Sequence, residues 1–145
     1  MNDACATDTF RIDARLRGDT HEIARLPLSH LLLMDDARYP WLILVPRIAG
    51  ARELFDLDRG DRALLLDEVS QVGRLLEALF SPDKLNIAAL GNIVAQLHVH
   101  IVARHVDDDA WPRPVWGHGE RVPYAPDALA RRLTDLRAAL AVEPA

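Results

Sequence analysis

The chain has 145 residues, half of them hydrophobic and about a quarter charged, the balance of one ordinary globular domain with enough chain to bury a core. Its single cysteine, Cys5, excludes a disulfide framework and a cysteine-based zinc site, and a reducing cytoplasm is the compartment expected. A formal net charge of −5 argues against non-specific binding to nucleic acid or to an anionic membrane.

In chain order, residues 1–18 are polar and mixed, with a loose tail expected up to about Ala6. Segment 20–26 alternates His21, Ile23 and Arg25 against Glu22, Ala24 and Leu26 and stops at Pro27, the pattern of a strand. Segment 28–34, apolar apart from Ser29 and His30, reads as a buried strand; 35–40 is a turn marked by Asp35, Asp36 and Pro40; and 41–45 is a second buried strand closed by Pro46. Strand, short turn, strand predicts antiparallel neighbours. A short helical turn is expected at 51–57. Asp58 or Gly60 then caps the clearest helix, 61–80, with Leu65, Val69, Val72, Leu76 and Leu79 on one stripe. The charged residues, including Asp67, Glu68, Arg74 and Glu77, fall mostly off that stripe, and Ser81-Pro82-Asp83 ends the helix. Segments 84–90 and 97–104 read as two more strands around Gly91-Asn92. Residues 107–126 are rich in Pro, Trp and Gly and read as irregular; a last helix at 127–141 carries Leu129, Leu133, Leu136 and Leu140 on one face. No repeat, linker or low-complexity tract divides the chain, so one domain over 1–145 is expected, with a core at about 10–106. Strands separated by a helix, without β-α alternation, predict an α+β fold with an antiparallel sheet of about five strands. The longest apolar runs, 31–34 and 41–46, are far short of the ~20 residues that span a bilayer. The N-terminus has no signal-peptide pattern.

The stretch that carries chemistry is Gln96-Leu97-His98-Val99-His100-Ile101-Val102-Ala103-Arg104. On a strand, Leu97, Val99, Ile101 and Ala103 point one way, toward a core, and Gln96, His98, His100, Val102 and Arg104 point the other. The plainest reading of an isolated His-x-His is a half-exposed strand. A metal site would need at least a third ligand; His105 has the wrong parity and no carboxylate lies nearby in sequence. The third reading is nucleophilic catalysis, in which one imidazole attacks phosphorus and its twin binds phosphate oxygens or handles a proton.

With its surroundings, this stretch resembles the signature of the histidine triad (HIT) superfamily, His-φ-His-φ-His-φ-φ with φ apolar. The upstream 85–92 stretch, with Asn86, Gly91 and Asn92, resembles that family's asparagine strand and glycine turn. Segments 31–36 and 41–47 resemble its first hairpin, and the helix between sits where the family has its main helix. The resemblance covers about 10–104. It implies a nucleotide-binding α+β fold, a homodimer, and hydrolysis or transfer of nucleotidyl groups without a metal or other cofactor. It implies that His98 is the nucleophile, that His100 contacts the phosphate, that Asn86 and Asn92 assist phosphate binding, and that Asp35 or Asp36 holds the ribose hydroxyls.

The departures shape the expectation. The first triad position is Gln96, a carboxamide that hydrogen-bonds but cannot shuttle a proton near neutral pH. Trp41 stands where many HIT hydrolases have another histidine, Ile93 where a hydroxyl often meets phosphate, and Asn92 where glutamine is usual. Two functions follow: a nucleotidyl hydrolase or transferase acting on a dinucleoside polyphosphate or nucleoside phosphoramidate, or a nucleotide-binding module with little or no turnover. Arg104 is a further candidate phosphate contact. Trp111 and Trp116 read as a lid, a dimer contact or a cover over the core edge.

Overall fold

Strands β1 (Thr20–Arg25), β2 (Ser29–Met34), β3 (Trp41–Pro46), β4 (Lys84–Ala88) and β5 (Val99–Arg104) form one antiparallel sheet in the order β1-β2-β3-β5-β4. Among the described residues, three helices complete the α+β fold: α1 (Ala14–Asp19), α2 (Arg59–Phe80) and α3 (Pro126–Val142). The expected helical turn is a short 3-10 segment, Leu54–Asp56. The computed structural model describes residues 9–142; the tail expected up to about Ala6 lies outside them. The middle strand β3 is buried along its whole length, which explains its uninterrupted apolar run: both faces of the sheet are covered.

One face carries α2 and α3. Asp58 caps α2 by accepting the Asp61 N–H at 2.8 Å, and the helix stops at Ser81, which takes a left-handed φ of 44° while its N–H donates to the Glu77 carbonyl. Leu65, Val69, Val72 and Leu76 are buried as the stripe predicts, but Leu79 is 37% exposed, so the stripe ends a turn early. Gly73 lets the helix approach β4, because a Cβ there would lie 3.3 Å from Leu85 Cδ1. Glu68 corrects the pattern. Expected on the charged side, it is buried, and its Oε1 accepts the Leu28 N–H at 2.7 Å and the Ser29 N–H at 3.4 Å. A helical carboxylate thus satisfies backbone donors in the β1–β2 turn that would otherwise be buried unpaired. From α3, Leu136 is buried, with Leu129, Leu133 and Leu140 packed around it.

The other face carries α1 and the segment that follows β5. Residues 14–19 read as merely polar, yet they form α1, capped by Asp13 Oδ1 accepting the Arg15 N–H at 2.8 Å. Six residues with one buried side chain, Leu16, carry no periodicity to detect. The chain after β5 crosses this face and buries Ala110 and Val115 against Tyr39, Trp41, Ile43 and Val102. Polar pins hold it there. Asp36 accepts from the Arg38 guanidinium at 2.8 and 3.0 Å and from the Val122 N–H at 3.3 Å, and Asp35 accepts the Tyr124 N–H at 3.0 Å. Asp108 accepts from the Arg104 guanidinium at 2.7 and 3.0 Å.

These pins set a pH limit. Burial alone would raise the pKa of Asp36 and Asp108, but the hydrogen bonds from Arg38 and Val122, and from Arg104, His105 and Trp111, outweigh it and hold both below the ordinary 3.8. Their stabilisation is complete above that value and is lost as pH falls through the lower folded-state pKa, because the unfolded chain takes up the proton first. The stability advantage of the wild type over Asp36→Asn is therefore expected to shrink as pH is lowered from 5 to 2, read by tryptophan fluorescence in denaturant titrations. An advantage that stays constant over that range contradicts the assignment.

Candidate active site

The alternation along β5 holds. Leu97, Val99, Ile101 and Ala103 enter the helix-covered core, while Val102 and the two histidines face α1 and the C-terminal segment. That second face is not open: His98 and His100 are only 7% and 6% exposed. Their rings close one end of a cavity of about 430 Å3. Leu16, Met34 and Ile43 give it an apolar floor, and the 91–93 loop and Trp116 form its walls. Gly91, at φ 74°, makes the turn of that loop, a backbone geometry that favours glycine. His98 also borders a second depression of about 280 Å3, between the loop after β4 and the Arg52–Phe55 stretch.

Hydrogen bonds assign the tautomer of each ring. His98 Nδ1 lies 2.7 Å from the Gln96 main-chain carbonyl. A carbonyl only accepts, so Nδ1 carries the proton and Nε2 keeps its lone pair. His100 is the reverse. The Trp41 indole N–H donates to His100 Nδ1 at 2.9 Å, and an indole only donates, so the proton of His100 sits on Nε2. Burial pushes the His100 pKa down to about 3, and His98 beside it acts in the same direction; the ring is neutral at physiological pH. Trp116 meets the His100 and Trp41 rings edge-on, at centroid distances of 5.3 and 5.7 Å. The two histidine centroids are 4.8 Å apart. A lone pair and an N–H donor are thereby set on neighbouring, largely buried rings.

Of the residues singled out in the sequence, His98, His100 and Asn92 line this cavity. Gln96 lies beside it and is occupied elsewhere: its Oε1 accepts the Asp13 N–H at 2.9 Å and its Nε2 donates to the Arg11 carbonyl at 2.8 Å. Asn86 Oδ1 accepts from Arg104 Nη1 at 2.7 Å. Arg104 is 1% exposed and spends its other donors on Asp108 and on the Arg113 carbonyl. Neither of these two, nor Asp35 or Asp36, is part of the cavity lining. All four serve to hold the covering segment in place. The tryptophans of that segment divide their work, Trp116 walling the cavity over His100 and Trp111 packing on the Arg104 guanidinium at 5.7 Å. Sequence reasoning missed Arg15 and Asp19, which reach the cavity from α1, and took Trp41 only as a departure rather than as the partner of His100. Among the described residues no three His, Cys, Asp or Glu side chains converge as a metal site, and no helix is long and apolar enough to cross a membrane.

The model of the HIT domain matches residues 16–107, well over half the chain. This chain belongs to the HIT family. Solved structures agree. A histidine triad protein from Bradyrhizobium japonicum is 47% identical, with a TM-score of 0.89 over 91% of this chain and 98% of that one. Histidine triad proteins from Sinorhizobium meliloti and Marinobacter aquaeolei are 42% and 41% identical, with TM-scores of 0.87 and 0.90, covering 90% and 94% of this chain and 96% and 99% of theirs. No curated protein matches. Coverage on that scale carries the likeness past the HIT domain itself, into the C-terminal segment that closes the histidine cavity.

Proposed function

We propose that this HIT-family chain is a nucleotidyl hydrolase or transferase. It acts at the α-phosphate of a dinucleoside polyphosphate or a nucleoside phosphoramidate, through a nucleotidyl-histidine intermediate. The observation that carries the reading is the hydrogen bond from His98 Nδ1–H to the Gln96 carbonyl, which leaves Nε2 with its lone pair on a ring that lines a ligand-sized cavity. In the first step Nε2 bonds to the α-phosphorus, and the bond from phosphorus to the leaving group breaks. The leaving group departs with the electron pair and takes a proton from solvent. The ring becomes cationic, and the Gln96 carbonyl supports that charge through Nδ1–H. In the second step water, or another acceptor, bonds to phosphorus, the P–N bond breaks, its electron pair returns to Nε2 and a proton is released. His100 Nε2–H and Asn92 bind the phosphate oxygens, and the apolar floor of Leu16, Met34 and Ile43 takes the base. Asn86, Arg104, Asp35 and Asp36 enter as supports of the cavity wall rather than as ligand contacts, since each hydrogen-bonds to the fold outside the cavity lining. The chemistry draws on imidazole alone.

Gln96 favours the second reading, a nucleotide-binding module, because a carboxamide bonded to backbone at both ends adds no proton-transfer group. Incubation with diadenosine polyphosphates and with adenosine phosphoramidate separates the two. Release of AMP from either class supports catalysis; AMP binding by calorimetry without turnover of any conjugate supports the module.

The active unit proposed is a homodimer in the cytoplasm. β4 is an open sheet edge, and the exposed Leu54, Leu66 and Ile87 line one groove beside it. A second copy would cover this apolar patch and the unpaired edge together. Sedimentation equilibrium at micromolar concentration reads this directly, and a monomer mass contradicts it.

A further inference from the structure

A second cavity, of about 590 Å3, opens on the same sheet face beyond α1. The helix is the partition: Arg15 and Asp19 line the histidine cavity, and Arg17 and Thr20 line this one. Four guanidinium groups border it, those of Arg11, Arg17, Arg25 and Arg47, against one carboxylate, Glu22. That carboxylate is shared with His30, whose Nδ1 is 3.0 Å away. In a chain of net charge −5, this is a concentrated positive field of the kind that collects anions.

The arginines are held there by the fold. On β1, Thr20 and Glu22 oppose Met34 and Leu32 on the cavity face, so plain alternation would bring Ala24 to that face next and turn Arg25 toward the helices. A bulge between Glu22 and Ala24 shifts the register, so that Ala24 opposes Leu31 and Arg25 opposes His30. The extra residue re-aims Arg25 into the cavity, a use bulges commonly serve beside binding sites. Arg47, two residues beyond Val45 on β3, enters from the same face. Its Nη2 donates to the Leu26 and Pro27 carbonyls at 2.9 and 2.8 Å, while its Nη1 is buried with no partner. The guanidinium groups of Arg11, Arg17 and Arg25 have no hydrogen bond or ion pair with any described residue. Phe10 stacked on His30, with centroids 5.9 Å apart, forms a flat wall.

We propose that this cavity binds a small molecule carrying an oligophosphate chain of two or more phosphates. Guanidinium forks match phosphate oxygens in pairs, and the volume is that of a small-molecule site. Four such groups, brought from the N-terminal segment, α1, β1 and the end of β3, exceed what one phosphate or carboxylate neutralises. A chain of linked phosphates spans them and supplies an acceptor for Arg47 Nη1. This site is separate from the histidine cavity and does not depend on the reaction proposed there.

Calorimetry with inorganic tripolyphosphate at near-physiological salt tests it, beside an arm with ATP. The expected result is one site per chain, at least ten-fold weaker in the double variant Arg17→Ala/Arg25→Ala. Both side chains are exposed and unpartnered, so the variant keeps its fold, which thermal melting verifies. Equal affinity for tripolyphosphate and ATP assigns a site that reads the phosphate chain alone. ATP binding ten-fold tighter, and weakened in the double variant, assigns a nucleotide-borne chain, with the Phe10–His30 wall taking the base. No binding at millimolar tripolyphosphate, or binding unchanged in the double variant, overturns the proposal.

Discussion

Replacing His98 with glutamine is expected to lower turnover of any nucleotide conjugate the protein accepts by about 10³-fold or more, while AMP still binds. The expectation rests on the division of labour between the two rings. His98 Nε2 is the only imidazole nitrogen of the pair with a lone pair left over, since His100 Nδ1 already accepts the Trp41 N–H. Glutamine keeps polarity and approximate length but forms no covalent adduct with phosphorus, so an effect confined to positioning would be much smaller. Steady-state rates and AMP affinity, measured on the same preparations, separate the two. Turnover within ten-fold of wild type would falsify the nucleophilic role.

The second large effect is expected at Trp41, a positioning residue that acts through His100. Its indole N–H does two things for the ring: it fixes the proton on Nε2, and it opposes protonation, because an imidazolium would set two N–H donors against each other. Burial and the neighbouring His98 already push the His100 pKa to about 3, so in the wild type this ring contributes no pH dependence between 5 and 8. Trp41→Phe keeps the aromatic wall and deletes the donor. The His100 tautomer is then no longer fixed, while burial and His98 still keep the ring neutral. The rate falls about ten-fold at pH 7, of the size general acid–base effects allow, and no acid limb from His100 appears between pH 5 and 8. Trp41→His, which restores a ring N–H, recovers part of the rate. A merely structural role for Trp41 would lower stability and give no rescue by Trp41→His, and a rate unchanged in Trp41→Phe would count against the lock.

The fold was legible where pattern length allowed it. The apolar runs of β2 and β3, the leucine stripe of α2 and the parity of β5 each span enough residues for period 2 or 3.6 to declare itself, and all four take the places expected of them. Helix α1 did not announce itself, because one turn and a half with a single buried leucine has no period. Glu68 was misplaced because helical spacing locates a face but not the backbone donors that approach it from elsewhere; only the β1–β2 turn makes that carboxylate interior. The candidate site was half legible. Alternation put His98 and His100 on one face, but polarity along a strand does not reveal that another segment covers it. Asp35, Asp36 and Arg104 have the chemistry of ligand contacts but bond to the segment after β5, 89 and 86 positions away for the two aspartates, and Asn86 Oδ1 is taken by Arg104. The Trp41–His100 hydrogen bond spans 59 positions, and the bulge that turns Arg25 inward shows in no local pattern.

The most direct measurement is a crystal structure with bound AMP. The account predicts the base over Leu16, Met34 and Ile43, the phosphorus about 3–3.5 Å from His98 Nε2, and one phosphate oxygen accepting from His100 Nε2–H. A histidine cavity left without AMP, or a phosphate held there out of reach of His98, would contradict it.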